Sequence, residues 1–158
     1  MTIRIVCLGK LKDRHWIDAA ADYEKRLSRY CTLETIELPD EKAPETLSPA
    51  QQEQIKTREG ERVLSRLSPQ DHVIALCLEG QALSSEAFAD RLLALQNAAK
   101  RPCFVIGGSL GLSGAVLARA DEQLSVSAMT LPHRLCRIFL LEQIYRAFKI
   151  LRGESYHK

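Results

Sequence analysis

Four glycines follow directly on a short apolar run in the second half of the chain, a pattern that can hold a ligand. The run Cys103–Ile106 leads into Gly107, Gly108, Gly111 and Gly114. Glycines permit positive φ angles and let the backbone approach a ligand closely. The lysine of a phosphate-binding loop is missing, and the spacing differs from the dinucleotide fingerprint G-x-G-x-x-G. The glycines alone therefore fit two interpretations, a ligand-binding loop and tight strand–helix packing without a ligand.

A second loop lies between another apolar run, 124–126, and a long apolar segment. It consists of Ser127, Ala128, Met129, Thr130, Leu131 and Pro132. The loop carries no charge and offers several backbone N–H and C=O groups. It therefore suits a neutral or cationic organic ligand with a purine-like edge better than a bare phosphate. An ordinary strand-to-helix turn is the alternative.

Side chains that can move a proton or contact a polyanion stand close to the second loop and at the chain end. His133 and Arg134 follow the loop directly, and the tail contains Tyr156, His157 and Lys158. Such a tail can stack on a base and contact phosphate, although chain ends are usually poorly ordered. A lone histidine is more often structural than catalytic. No nucleophile elbow, catalytic carboxylate pair or metal-ligand spacing is present in the sequence, so we expect no metal.

Strand-like and helix-like segments alternate along the chain, which predicts an α/β fold with a largely parallel sheet. Apolar runs predict strands at 3–8, 73–78, 103–106 and 124–126, with an exit turn at 79–81. The alternation of apolar and polar residues predicts a further strand at 33–38. Periodicity and capping residues predict helices over 14–30, 49–67, 85–100, 114–120 and 132–151. The second of these helices is polar, so we expect it to be peripheral. Ligands of parallel sheets bind at the carboxyl ends of the strands, where both loops lie.

The last predicted helix is apolar on nearly every face around residues 138–141. A helix that is apolar all round must be covered all round, and a chain of 158 residues has little left to cover it. We therefore expect a C₂ homodimer that forms through this helix.

Length, charge and cysteine usage are typical of a cytoplasmic protein with one domain, residues 1–158. No apolar run is long enough for a membrane span, and the N-terminus lacks the features of a signal peptide. The five cysteines have no C-x-x-C spacing, so we expect small buried hydrophobic residues. The net charge is only +2, but residues 134–158 hold six Lys/Arg against two acids, and Lys10, Lys12 and Arg14 form a second basic group. These groups suit a polyanion partner, and solvated helix faces explain them equally well.

Three blocks, IGGSLGLS, LSVSAMTLPHRLCRIFLLEQIYRA and GESYHK, resemble the ribosomal RNA large subunit methyltransferase H family of the SPOUT superfamily. The resemblance covers essentially the whole chain. It implies a SPOUT-type parallel sheet with helices on both faces, a C-terminal trefoil knot and a homodimer. The activity it implies is S-adenosylmethionine-dependent methylation of N3 of a pseudouridine in helix 69 of 23S rRNA, with the assembled ribosome as substrate.

The same resemblance assigns residues to this site. The methyl donor is expected to contact Leu76, Gly108 and the loop from Ser127 to Pro132. The residues expected to face the RNA, across the dimer, are His133, Arg134, Tyr156 and His157. Either histidine is a candidate base, and Arg134 or Arg152 is a candidate for stabilising the developing anion. Two departures from the family pattern are Met129, where leucine is common, and Ser155, where proline is common.

Two other functions fit the sequence. The first is a non-catalytic ribosome-binding factor with a vestigial pocket, which would bind no donor. The second is a methyltransferase that acts on tRNA, which would prefer isolated tRNA to ribosomes. The low net charge argues mildly against tight binding to free RNA.

Overall fold

The fold, given by a computed structural model that describes residues 1–156, is a five-stranded sheet flanked by helices. The strands are β1 (Thr2–Leu8), β2 (Thr32–Leu38), β3 (Asp71–Ala82), β4 (Arg101–Ile106) and β5 (Glu122–Ser125). The helices are α1 (Arg14–Leu27), α2 (Pro49–Leu64), α3 (Ser85–Asn97), α4 (Gly114–Arg119) and α5 (His133–Leu151). The strand order is β2-β1-β4-β3-β5, and every pair is parallel. The predicted α/β class and parallel sheet are confirmed.

Two hydrophobic cores form, one on each face of the sheet. Helices α1, α3 and α5 cover the face that carries Ile5 and Phe104, and α2 and α4 cover the face that carries Val6 and Val105. Successive residues of a strand point to opposite faces. A strand buried on both faces is therefore apolar throughout, which is why the continuous apolar runs predicted these strands correctly.

Helix α2 is not peripheral, contrary to the prediction. It starts with a capping box, in which the Ser48 hydroxyl accepts the Gln51 N–H and the Gln51 side chain accepts the Ser48 N–H. One narrow stripe of this polar helix is buried against the sheet and α4. The buried residues are Ile55, Glu59, Gly60 and Val63. Ile55 and Val63 are apolar anchors by residue type, whereas the burial of Glu59 and Gly60 could not be predicted because a carboxylate and a glycine do not indicate a buried helix face.

Gly60 marks the closest approach of α2 to the start of α4. A Cβ at Gly60 would stand 2.2 Å from the Ser113 Oγ and 3.0 Å from its Cβ. Ser113 is buried and caps α4 by accepting the Val116 N–H at 3.3 Å. The space between α2 and the start of α4 is therefore too small for a side-chain methyl group at Gly60.

Replacing Gly60 with alanine should lower the free energy of unfolding by about 1–3 kcal/mol, since overpacking forces the neighbours to shift. Urea denaturation measures this loss. Ser113→Gly removes both clashing atoms and costs only a few tenths of a kcal/mol as a helix cap. The double variant should therefore be more stable than Gly60→Ala alone. A double variant that loses the sum of both single effects would contradict this packing.

Several predicted element boundaries differ from the structure, and β3 shows the most consequential difference. The predicted exit turn at 79–81 belongs to β3, which continues through a bulge: Leu76 and Gln81 both pair with Leu124. A Cβ at Gly80 would stand 2.5 Å from the Leu124 backbone, so the glycine serves close strand contact. Helix α1 ends at Leu27 rather than at residue 30. Residues 101–102, predicted to end a helix, open β4.

The predicted caps at Ser84 and Ser113 each accept a backbone N–H, whereas Asp13 makes no side-chain capping bond. The Asp13 carboxylate instead pairs with Arg134 at 3.1 Å. This ion pair joins the start of α1 to the start of α5, which lies 121 residues later in the chain.

Four of the five cysteines are buried and the fifth, Cys77, is half-buried. Burial raises the pKa of the thiols of Cys7, Cys31 and Cys136 to about 11 and that of Cys103 to about 12. These four thiols stay protonated at neutral pH and pack as apolar groups. Within residues 1–156, no helix is long and apolar enough to cross a membrane, and no group of His, Cys, Asp and Glu could hold a metal ion.

Candidate functional site

The carboxyl edge of the sheet brings three of the predicted donor-binding positions together. Leu76 of β3 pairs with Ile106 of β4 on one side and with Leu124 of β5 on the other. Gly108 stands two residues after the end of β4, and Ser127 stands two residues after the end of β5. These positions therefore lie side by side, where β4 and β5 end and where β3 reaches its bulge.

The loop 127–132 crosses this edge of the sheet. It starts at the end of β5, and it ends at His133, whose Nε2 lies 3.2 Å from the position of a Cβ on Gly9, directly after β1. Strands β5 and β1 are separated by β3 and β4, so the distance to cover is about 14 Å at the usual strand spacing. Six extended residues reach about 20 Å. The loop therefore passes over β3 near Leu76 and over the end of β4, which leads to Gly108.

Both loops owe their shape to backbone groups and short side chains. The Gly111 N–H donates to the Gly108 carbonyl at 3.1 Å, and Gly111 has a φ of +84°, which favours glycine. The Ser127 hydroxyl accepts the Met129 N–H at 2.9 Å, and the Ser127 carbonyl accepts the Ser125 hydroxyl at 3.0 Å. No charged side chain belongs to 107–113 or 127–132. The two loops thus bring polar groups, and no charged side chain of their own, to the space between them at this edge of the sheet, which we call the cleft.

A small cavity of about 90 Å³ adjoins this cleft. It is bounded by 124–126 at the end of β5, by Phe139 and Gln143 of α5, and by Ser84 and Ser85 at the start of α3. A larger cavity of about 530 Å³ lies at the opposite edge of the sheet, beside Asp71 and Arg119. The smaller one is the better candidate for a ligand, because ligands of open parallel sheets bind at the carboxyl ends of the strands.

His133 is half-buried where the loop 127–132 meets the end of β1. Asp40 lies beside it, since the Asp40 Oδ2 is 3.6 Å from the same Cβ position on Gly9 that the His133 Nε2 approaches. Burial lowers the pKa of His133 below its usual value, Arg134 adds to this effect, and Asp40 opposes it. The imidazole is therefore neutral at neutral pH and able to accept a proton.

Tyr156 does not lie near His133 in the same chain. Its hydroxyl donates to Glu142 at 3.1 Å, and its ring packs edge-on against Tyr145 and beneath the guanidinium of Arg146. Glu142 is nine residues along α5 from His133, an axial distance of about 13 Å. Burial, together with Tyr23 and Glu142, raises the pKa of Tyr156 above its usual value, so the phenol stays protonated. His157 lies outside the described residues.

Asp40 and Glu59 are acidic residues at this edge that the sequence analysis did not single out. Asp40 stands in the segment after β2, beside His133. Glu59 is only 3% exposed, and its carboxylate lies against Gly108. Both stand in polar segments, and their proximity to the loops arises from contacts between distant parts of the chain.

Comparison with known proteins identifies the chain's relatives. A family described as "Predicted SPOUT methyltransferase" matches residues 1–157. The chain is 54% identical to the ribosomal RNA large subunit methyltransferase H of Bacillus pumilus (strain SAFR-032), 55% to that of Bacillus cytotoxicus and 51% to that of Listeria welshimeri, and each match covers 100% of both chains. The chain belongs to the ribosomal RNA large subunit methyltransferase H family of SPOUT methyltransferases. The predicted family and the predicted methyltransferase class are thus confirmed.

A solved structure shares the fold of this methyltransferase. It is a probable methylase family protein from Haemophilus influenzae Rd KW20, with 15% sequence identity and a TM-score of 0.52. The match covers 96% of this chain and 66% of that chain. This match supports the arrangement of strands and helices described above.

Proposed function

We propose that this SPOUT methyltransferase, a single domain of residues 1–158, transfers a methyl group from S-adenosylmethionine to N3 of a pseudouridine in helix 69 of 23S rRNA. It acts as a homodimer on assembled ribosomes in the cytoplasm, and its C-terminal part forms the trefoil knot that its family implies. The observation that supports the proposal is the uncharged loop 127–132, which lies across β3 near Leu76 and across the end of β4. That loop belongs to a chain with full-length identity above 50% to proteins named ribosomal RNA large subunit methyltransferase H.

The cleft fits S-adenosylmethionine by its chemistry. The donor carries a sulfonium cation and a purine, and both loops offer backbone groups without a charged side chain. Leu76, Gly108 and the loop from Ser127 to Pro132 would hold the donor, and backbone N–H and C=O groups would read the edge of the adenine. The bound donor supplies an electrophilic methyl group. The chain itself must then orient the target nitrogen and accept its proton.

His133 is the residue best placed to accept that proton. N3 of pseudouridine is an imide nitrogen, which must lose its proton before or during attack on the methyl group. The imidazole of His133 is neutral at neutral pH because burial lowers its pKa, so it can act as the base. Arg134 is adjacent and would stabilise the developing anion. The rest of the rate would come from holding the base and the methyl group in line.

The basic group that follows β1 supports RNA as the partner. Lys10, Lys12 and Arg14 are exposed, and the Arg134–Asp13 ion pair places this segment beside the start of α5. Positive charge is therefore concentrated at the same edge of the sheet as His133. Lys and Arg side chains that contact phosphates supply much of the affinity of a protein for nucleic acid.

Two observations support a homodimer. Four of the six exposed large hydrophobic residues belong to the β3 bulge, the loop 127–132 and the first half of α5; they are Leu78, Met129, Leu135 and Phe139. A second copy would remove this surface from water. Tyr156 is also held about 13 Å along α5 from His133 in its own chain. A partner subunit would supply its tail to the site instead.

Methyl transfer from labelled S-adenosylmethionine to assembled ribosomes, free large subunits and bulk tRNA tests the proposal. Digestion of the labelled RNA then identifies the modified base. We expect label at a helix 69 pseudouridine, on assembled ribosomes only. Label in tRNA would keep the chemistry but refute the substrate. No label and no donor binding would favour the ribosome-binding factor.

A further inference from the structure

Glu59 is the one acidic side chain of α2 that is buried, at 3% exposure. A buried carboxylate is costly unless it is partnered. One of its oxygens, Oε2, accepts the N–H of Glu41 at 3.0 Å. Burial raises the pKa of Glu59 above its usual value, and the hydrogen bond from Glu41 opposes that shift. The burial of Glu59 therefore costs free energy, which the contacts of its carboxylate must offset.

The carboxylate lies directly against the glycine loop. A Cβ at Gly108 would stand 3.1 Å from the Glu59 Oε2 and 3.3 Å from the Oε1. The next residue, Gly60, meets Ser113 at the other end of the same loop. Two consecutive residues of α2, Glu59 and Gly60, therefore contact the loop 107–113 at both of its ends. The side of the loop that faces away from α2 remains available to the cleft.

The segment that Glu59 binds also leads to His133. Arg62, one turn along α2, donates to the Pro39 carbonyl at 2.8 Å and pairs with the Glu41 carboxylate at 2.5 Å. Asp40, between these two anchored residues, lies beside His133. One stripe of α2 thus holds both the backbone of the donor loop and the residue that faces the candidate base.

We propose that Glu59 is a positioning residue: its buried carboxylate fixes the Gly108 backbone in the donor cleft and ties it to the 39–41 segment beside His133. This inference rests on the proposed function, since Gly108 is taken as part of the donor site. The reach of the side chain and its acceptor oxygen carry the role, so a glutamine should retain it and a shorter side chain should not.

The test compares four variants by calorimetric titration with S-adenosylmethionine and by deuterium uptake of the backbone amides in 107–113 and 39–47. We expect Glu59→Ala and Glu59→Asp to bind the donor at least tenfold more weakly and to exchange faster in both segments. We expect Glu59→Gln to stay within threefold of the unmodified protein. Glu61→Ala, on an exposed residue of the same helix, is the matched control and should change neither measurement.

Kinetics separate positioning from a loss of fold. The KM for the donor should rise at least tenfold in Glu59→Asp, while kcat at saturating donor stays within about twofold. Donor affinity and amide exchange that are unchanged in Glu59→Asp would overturn the inference, as would a Glu59→Gln variant as impaired as Glu59→Ala. An unmodified protein that bound no donor would refute the proposed function instead, and the amide exchange would still decide whether Glu59 holds the loop.

Discussion

Replacing His133 with alanine should lower kcat for methyl transfer by about 10²- to 10⁴-fold, the usual contribution of a general base. The affinity for S-adenosylmethionine should stay within threefold, because the residues proposed to hold the donor are Leu76, Gly108 and the loop before His133. Single-turnover transfer to ribosomes at saturating donor measures the first effect, and calorimetric titration measures the second. His15→Ala, which removes an exposed histidine on α1, is the control and should leave both unchanged.

The dependence of methyl transfer on pH tests whether His133 acts as the base. The base works as the neutral imidazole, so activity should be lost as the pH falls through the pKa of His133, which lies below its usual value. Asp40 opposes that lowering, so Asp40→Asn should move the acid limb of the profile to still lower pH. Full turnover in His133→Ala, or an acid limb that moves to higher pH in Asp40→Asn, would assign the proton to another group.

Replacing Phe139 with glutamate should convert the proposed dimer into a monomer and reduce methyl transfer by at least 100-fold. Phe139 is 37% exposed on the first half of α5, within the apolar surface that we assign to the partner. A buried, unpaired carboxylate would oppose association strongly, and a monomer would lack the partner's tail. Light scattering after size exclusion measures the mass, and transfer to ribosomes measures the activity.

Leu93→Glu is the matched control for this experiment. Leu93 is similarly exposed, at 39%, but it lies on α3 outside the assigned surface. We expect this variant to remain dimeric and active. A Phe139→Glu protein that kept the mass of a dimer would show that the first half of α5 is not the interface.

The sequence predicted the sheet well because β1, β4 and the first half of β3 are buried on both faces. Strand β2 is an edge strand with exposed residues, and its alternation of apolar and polar residues predicted it. Continuous apolar runs such as Val73–Leu76 and Cys103–Ile106 leave few alternatives at these lengths. The errors arose where one residue pattern serves two geometries. Gly80 is typical of an exit turn, yet here it permits a bulged strand to contact the Leu124 backbone. Asp13 is a good cap by residue type, but the chain brings Arg134 within reach of its carboxylate.

The candidate site was predicted in part. The two loops could be placed at the carboxyl edge of the sheet, because strand order along the chain and the rule for open sheets suffice for that. The proximity of Asp40 to His133 and of Glu59 to Gly108 could not be predicted, since each brings together segments that are far apart in sequence. The packing of Tyr156 on α5 of its own chain could not be predicted from sequence pattern either, because it depends on contacts with three residues of α5.

The path of the loop 127–132 from β5 to β1 has a consequence for how the protein folds. The first strand pairs with β4 and meets His133 only about 100 residues or more later in the chain, and contacts of such long range slow folding. The loop and α5 follow all five strands in the chain. A nascent chain of this protein therefore cannot form the cleft until every strand has been synthesised. The proposed donor site is thus among the last parts of the molecule that can form on the ribosome.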